Sequence, residues 1–273
     1  MESAIKNATA MKHEPVAIIM TDDLPADAKQ FKAGKWGCVM WMMVSSTRGK
    51  TAAFDKETFG CFGGGVGLGF GNQYKNFPGG EDCFCYFLST GNEQWEQGKK
   101  TGEQVRQFMR DEAYEDFMFG EGYVKTPDLV QKFIACLPIM DIEAEYVVFK
   151  PLSEVDPEKE TPTVVVFLCD MDQLSALTVL ANYDRETNDN VIIPYAAGCQ
   201  TIGIYPFAEA SSENPRGVVG MTDLSARVNV KRMLGDDVMT FAAPYKLYQE
   251  MEKNVPGSFL ERSTWKKLME MKA

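Results

Sequence analysis

Hydrophobic positions along the chain fall into short unbroken runs and longer periodic segments, and the two kinds predict different elements. Pro15-Val16-Ala17-Ile18-Ile19-Met20 is a continuous apolar run that stops at Thr21-Asp22-Asp23, the pattern of a buried strand. Tyr146 to Phe149 and Thr163 to Leu168 are valine-rich runs of similar length, separated by the charged, proline-containing loop Ser153 to Pro162. They predict neighbouring strands covered on both faces. Thr51 to Phe54, Val191 to Ile193 and Gly217 to Met221 are weaker strand candidates.

Helical periodicity takes over elsewhere. Residues 1 to 12 form a short helical segment, and the Met- and Trp-rich stretch Trp36 to Val44 predicts a buried helix carrying Cys38. Glu103 to Glu115 is amphipathic. Thr126-Pro127 places a capping hydroxyl before a proline at the first helical position, and Leu129, Val130, Phe133, Ile134 and Leu137 keep helical spacing up to Pro138. Asp170 with Gln173 predicts a capping box, followed by Leu174, Leu177 and Leu180 on one face. Pro244 opens a segment with Leu247, Tyr248 and Met251, and Ser258 with Glu261 predicts a second capping box for a helix ending near Met271.

These elements predict an α+β fold, a mixed sheet with helices, in one domain spanning residues 1–273. Within it, two pseudo-symmetric lobes are expected at 10–80 and 144–255, with a helical insertion at 81–138. The repeat rests on Gly-Cys dipeptides: Pro15 to Met20 precedes Gly37-Cys38 much as Thr163 to Leu168 precedes Gly198-Cys199. Some twenty residues later comes Gly60-Cys61-Phe62-Gly63 in one half and Gly220-Met221-Thr222-Asp223, leading to Ser225 and Arg227, in the other.

The stretch of greatest chemical interest is Gly60-Cys61-Phe62-Gly63-Gly64-Gly65-Val66-Gly67-Leu68-Gly69-Phe70-Gly71. It sets a thiol at the mouth of an expected glycine-rich loop, whose bare backbone a ligand or another segment can approach closely. Its glycines fit neither the dinucleotide fingerprint nor the P-loop pattern. Four readings stay open: a nest of amides for an anion, a metal or iron–sulfur site using Cys38, Cys61 and Cys199, a nucleophilic Cys61, and close backbone packing without a ligand.

Composition narrows the classes. The net charge of −11 and pI near 4.8 lack the basic footprint of a nucleic-acid binder and disfavour anionic membrane surfaces. Charged residues interrupt Met1 to Met20, and no apolar run approaches the roughly 18 to 20 residues of a membrane span. A soluble, cytoplasmic protein is expected. Seven cysteines, an odd number, point to reduced thiols rather than a disulfide framework. His13 is the one histidine, so a histidine-rich zinc site and a buried histidine base are both disfavoured. Cys83 and Cys85, two apart, diverge on a helix and make a poor chelate. Trp36, Trp41 and the nearby methionines read as core before cofactor cage, Arg227 as a surface ion-pair residue before an anion clamp, and Glu154 to Glu160 as a solvated face.

Pro15-Val16-Ala17, Gly37-Cys38, Cys61-Phe62-Gly63-Gly64 with Gly67-Leu68-Gly69, and Val147-Val148-Phe149-Lys150-Pro151-Leu152 together resemble the ArCR family, a domain of unknown function found in archaea and bacteria. Ala197-Gly198-Cys199, Ser225-Ala226-Arg227 and the Pro244 helix extend the resemblance over roughly residues 10 to 255. The resemblance implies that Cys38, Cys61 and Cys199 belong to a shared pattern; it supplies no activity. The Gly71 to Gly80 loop and the additional Cys83 and Cys85 depart from it.

The expected function is binding of a small cofactor, metal or anionic ligand. Cys38, Cys61 and Cys199 would supply soft ligands, Gly63, Gly64, Gly65, Gly67 and Gly69 the amide donors, and Arg227 a counter-charge. Two alternatives stand beside it. One is a cysteine-dependent transferase or reductase; the other is a non-catalytic oligomeric or partner-binding protein with Cys83 to Leu88 as interface.

Overall fold

Valine-rich runs are where the chain pairs, because β-branched side chains suit a pleated surface and resist helix formation. The computed structural model describes residues 1–272. In chain order, α1 (Ala4–Ala8) precedes β1 (Val16–Thr21), and α2 (Val39–Ser46), β2 (Ala52–Phe54) and α3 (Phe62–Gly67) follow. Four helices come next: α4 (Gly80–Phe87), α5 (Glu96–Val105), α6 (Asp111–Phe119) and α7 (Pro127–Cys136). Then come β3 (Tyr146–Pro151), β4 (Val164–Cys169), α8 (Met171–Asn182), β5 (Val191–Ile192), α9 (Gly198–Ile202) and α10 (Ile204–Ala210). β6 (Gly217–Gly220), α11 (Leu224–Leu234), β7 (Met239–Pro244), α12 (Tyr245–Lys253) and α13 (Ser263–Lys272) complete the order.

The chain divides into two compact units, one made of Met1–Phe70 with Asp141–Ala273 and the other of Gly71–Met140. The first holds a seven-stranded mixed sheet of order β2-β3-β1-β4-β7-β6-β5, which makes the class α+β. Only β5 and β6 run parallel; the remaining pairs are antiparallel.

Alternation along the strands divides the sheet's side chains between two faces. Ala17, Ile19, Val148, Val165, Phe167, Val219 and Phe241 form one core with Leu177 and Leu180 of α8, Leu247 and Met251 of α12 and Trp265 of α13. On the opposite face, a Cβ at Gly220 would lie 2.0 Å from Thr201 Oγ1 of α9, and Ser46 of α2 bonds the Phe149 carbonyl at 3.4 Å. That second helical layer positions the candidate site.

Two expectations about this unit are corrected. Strands β3 and β4 are not neighbours: β1 lies between them, six residues pairing with β3 and three with β4. The apolar character of all three reflects burial on both sides and carries no information about which is central. Ser258 caps the 3-10 turn Phe259–Glu261, bonding the Leu260 amide at 3.3 Å, and α13 starts only at Ser263. The Asp170–Gln173 capping box forms as expected.

The second unit carries α4 to α7 around Cys83, Phe117 and Met118, with Phe77, Phe87 and Trp95 against them. Asn92 is fully buried and its amide donates to the carbonyls of Cys83 at 3.1 Å and Phe117 at 2.9 Å, tying α4 to α6. Thr126 Oγ1 accepts from the Leu129 amide ahead of Pro127. Cys83, Phe84 and Cys85 all lie buried on α4. No helix among the described residues is long and apolar enough to cross a membrane.

Candidate functional site

The glycine run is a helix, not a loop. Seven glycines in the twelve residues 60–71 have little helical propensity of their own, so tertiary contact must hold α3, and it comes from α9. A Cβ on Gly67 would lie 2.7 Å from the Cys199 backbone carbon, and one on Gly203 would lie 1.9 Å from the Gly67 carbonyl oxygen. Backbone therefore meets backbone, a separation only glycine permits. Gly64 is similarly confined: a Cβ there would lie 2.6 Å from the Phe59 carbonyl oxygen and 2.8 Å from Val39 Cγ2. Gly63 differs: a methyl there would meet nothing nearer than Ala197 Cβ at 4.0 Å.

Each of the helices α2, α3 and α11 begins at a residue of chemical interest. Cys38 is the N-cap of α2, Cys61 of α3 and Asp223 of α11, while Cys199 is the second residue of α9. Gly64 N–H donates to Cys61 Sγ at 3.2 Å, and the Cys199 thiol donates to the Gly63 carbonyl at 3.0 Å. Asp223 accepts from the amides of Ser225 at 2.8 Å and Ala226 at 3.3 Å with one oxygen, and from Gly198 at 3.1 Å with the other. The carboxylate thus caps α11 and ties it to α9.

Burial and mutual repulsion keep these thiols protonated. Cys38 is pushed up to about 12, first by burial and then by Cys61 beside it, with a smaller contribution from Asp223. Burial also raises Cys61, which the Gly64 amide partly offsets and Asp223 reinforces. Cys199 goes well above the ordinary thiol range through burial, Cys61, Asp223 and Cys38, in that order. Three cysteines distant in sequence, and one aspartate, are therefore within electrostatic reach of one another. Cys38 and Cys199 are buried; Cys61 is partly open.

The metal reading of Cys38, Cys61 and Cys199 gains no support from the geometry. Among the described residues, no three histidine, cysteine, aspartate or glutamate side chains are placed to hold a metal ion. Cys61 and Cys199 instead engage the two ends of the Gly63–Gly64 peptide. Arg227 does not face the thiols as a counter-charge. Its Nε donates to the Met221 carbonyl at 2.7 Å, and its Nη2 reaches the Val238 carbonyl at 3.3 Å and Met239 Sδ at 2.8 Å. It fastens the start of α11 to the segment entering β7. Gly65 is buried inside α3, its amide bonded to the Cys61 carbonyl, and Gly69 takes a positive φ of 87° just beyond the helix end. His13 has Arg48 and Lys12 as electrostatic neighbours; burial is the first cause lowering its pKa.

Asp223 was not singled out from the sequence as a site residue, and Trp36, expected in the core, is exposed. Asp223, ahead of Leu224-Ser225-Ala226, is an N-cap by residue type and position. Trp36, 52% exposed, stands two residues before Cys38 with its ring edge-on to Trp41, centroids 5.4 Å apart. Trp41 in turn donates to the Asn229 carbonyl of α11 at 2.8 Å.

The family model described as uncharacterised ArCR matches residues 4–254. The chain belongs to the ArCR family. The match takes in Cys38, Cys61, Cys199 and Asp223, along with the whole of the Gly71–Met140 unit. No curated protein and no solved structure matches this ArCR chain.

Proposed function

We propose that the sheet-containing unit binds a small organic ligand where the amino ends of α2, α3, α9 and α11 meet, against a wall of protonated thiols. The observation that carries this reading is the contrast among the glycines. Packing accounts for Gly64 and Gly67 and leaves Gly63 unexplained, since a side chain there has room. A glycine in a helix lowers its stability relative to alanine, by about 0.5–1 kcal/mol at mid-helix positions. Keeping position 63 bare beside the partly open Cys61, and opposite the small Ala197, leaves a slot that a ligand can enter.

Binding is favoured over nucleophilic catalysis because burial and Asp223 both hold Cys61 in its neutral form. Thermal-shift measurements with a metabolite panel test the reading, since a ligand that binds only the native state raises the melting temperature. Gly63→Val should fill the slot, keep the ligand-free melting temperature within a few degrees and abolish the ligand-induced rise. A rise that survives Gly63→Val, or a panel in which no compound shifts the wild-type protein, contradicts it.

A further inference from the structure

The strand register repeats within the sheet. Strand β1 meets β3 with Val16 opposite Pro151 and Thr21 opposite Tyr146; β4 meets β7 with Val164 opposite Pro244 and Cys169 opposite Met239. On the outer side, Ala52, Ala53 and Phe54 of β2 face Phe149, Val148 and Val147, as Val218, Val219 and Gly220 of β6 face Ala242, Phe241 and Thr240. The central strands pair antiparallel, with Val16 opposite Val166, Ala17 opposite Val165 and Ile18 opposite Val164. A half-turn about the Ala17–Val165 pair carries each of these pairings onto its counterpart. The helices follow the same exchange, for α3 packs on α9 while α11 packs on α2. Under that operation, the N-cap of the helix that follows β2 corresponds to the N-cap of the helix that follows β6. These are Cys61 and Asp223.

We propose that Asp223 is the counterpart of Cys61 across a local two-fold axis and makes the site select cationic ligand groups over anionic ones. This rests on the reading of the junction as a ligand site. Three observations set the charge. The amide donors that would attract an anion are already used by the protein's own acceptors, Gly64 N–H by Cys61 and Gly198, Ser225 and Ala226 N–H by Asp223. The guanidinium nearest in sequence, Arg227, is spent on carbonyls. An exposed indole, Trp36, lies at the amino end of α2, and aromatic faces attract cations.

Methanethiosulfonate reagents of different charge test the proposal on the intact protein. The Cys61 thiolate attacks the sulfenyl sulfur, forming a Cys61–S–S–R disulfide and releasing methanesulfinate, with the thiol proton lost to solvent. Rates at Cys61 and at the exposed Cys136 are read by peptide mass spectrometry for trimethylammonium-ethyl, sulfonato-ethyl and methyl reagents. The cation-to-anion rate ratio should be about tenfold greater at Cys61 than at Cys136, and should fall to the Cys136 value in Asp223→Asn and Asp223→Ser. Both substitutions keep a capping side chain, and taking a ratio cancels any change in thiolate fraction. Equal ratios at the two cysteines, or ratios unchanged in both variants, overturn the charge proposal alone when the neutral methyl reagent still modifies Cys61. Failure of the neutral reagent to modify Cys61 while Cys136 reacts overturns both this proposal and the ligand-site reading beneath it.

Discussion

Cys61 and Cys199 hold the two ends of one peptide group: the Gly64 amide donates to the Cys61 sulfur, and the Cys199 thiol donates to the Gly63 carbonyl. One sulfur acts as acceptor and the other as donor, so α3 is fixed to α9 by a polar contact as well as by glycine-to-backbone packing. The carboxylate of Asp223 continues the chain of contacts from α9 to α11 through the Gly198 amide. Cooperative networks of this kind specify position as well as contribute stability.

The glycines separate by what surrounds them. Gly67→Ala and Gly203→Ala force a methyl into backbone at 2.7 Å and 1.9 Å, and each should destabilise the protein by about 1–3 kcal/mol or more. Gly63→Ala should be neutral or stabilising by up to about 1 kcal/mol. Chemical denaturation of the three variants checks the order.

Arg227 acts as a fastener of backbone. Removing it strands the Met221 and Val238 carbonyls it serves, so Arg227→Ala should cost about 1–3 kcal/mol. Arg227→Lys should recover less than half, because a single ammonium cannot reproduce the fork that reaches both carbonyls. Urea midpoints for the two variants give the comparison.

Alkaline pH should weaken the fold through the thiols. The unfolded chain ionises near the ordinary thiol value of 9.0, whereas folded Cys38 waits until about 12. Its contribution is therefore fully present below about pH 9 and lost as pH rises through that interval. Cys61 and Cys199 are raised in the same direction. Melting temperature should fall between pH 8.5 and 11, and the slope should be shallower in Cys38→Ala, the comparison that separates thiols from lysines and tyrosines titrating in the same range.

How much of this was legible in the sequence depended on whether the determinant was local. The runs containing Val16 to Met20, Tyr146 to Phe149 and Val164 to Leu168 announced strands because every residue in them is apolar, and Thr126-Pro127 and Asp170 with Gln173 announced helix starts through their caps. Strand β7, Met-Thr-Phe-Ala-Ala-Pro, escaped because small and polar side chains suit its tightly covered position between β4 and β6. The place of β1 between β3 and β4 is a long-range choice that no local pattern records.

At the candidate site, Cys38, Cys61 and Cys199 stood out by their Gly-Cys context, and the structure places them within electrostatic reach. The glycine run read as a loop because its helical state is imposed by α9, through contacts made far along the chain. Asp223 was hidden for a different reason: its role depends on Gly198, which its neighbours in sequence do not reveal.

The coupling of Asp223 to the thiols is the most direct measure of the account, and the pH dependence of Cys61 alkylation reads it. In wild-type protein, the iodoacetamide rate at Cys61 should rise at a pH above that of an ordinary thiol; in Asp223→Asn the whole profile should move to lower pH, since one of the groups that raises Cys61 has been neutralised. A profile that stays where it was in Asp223→Asn, with the fold intact by circular dichroism, would contradict the convergence on which the proposed site is built.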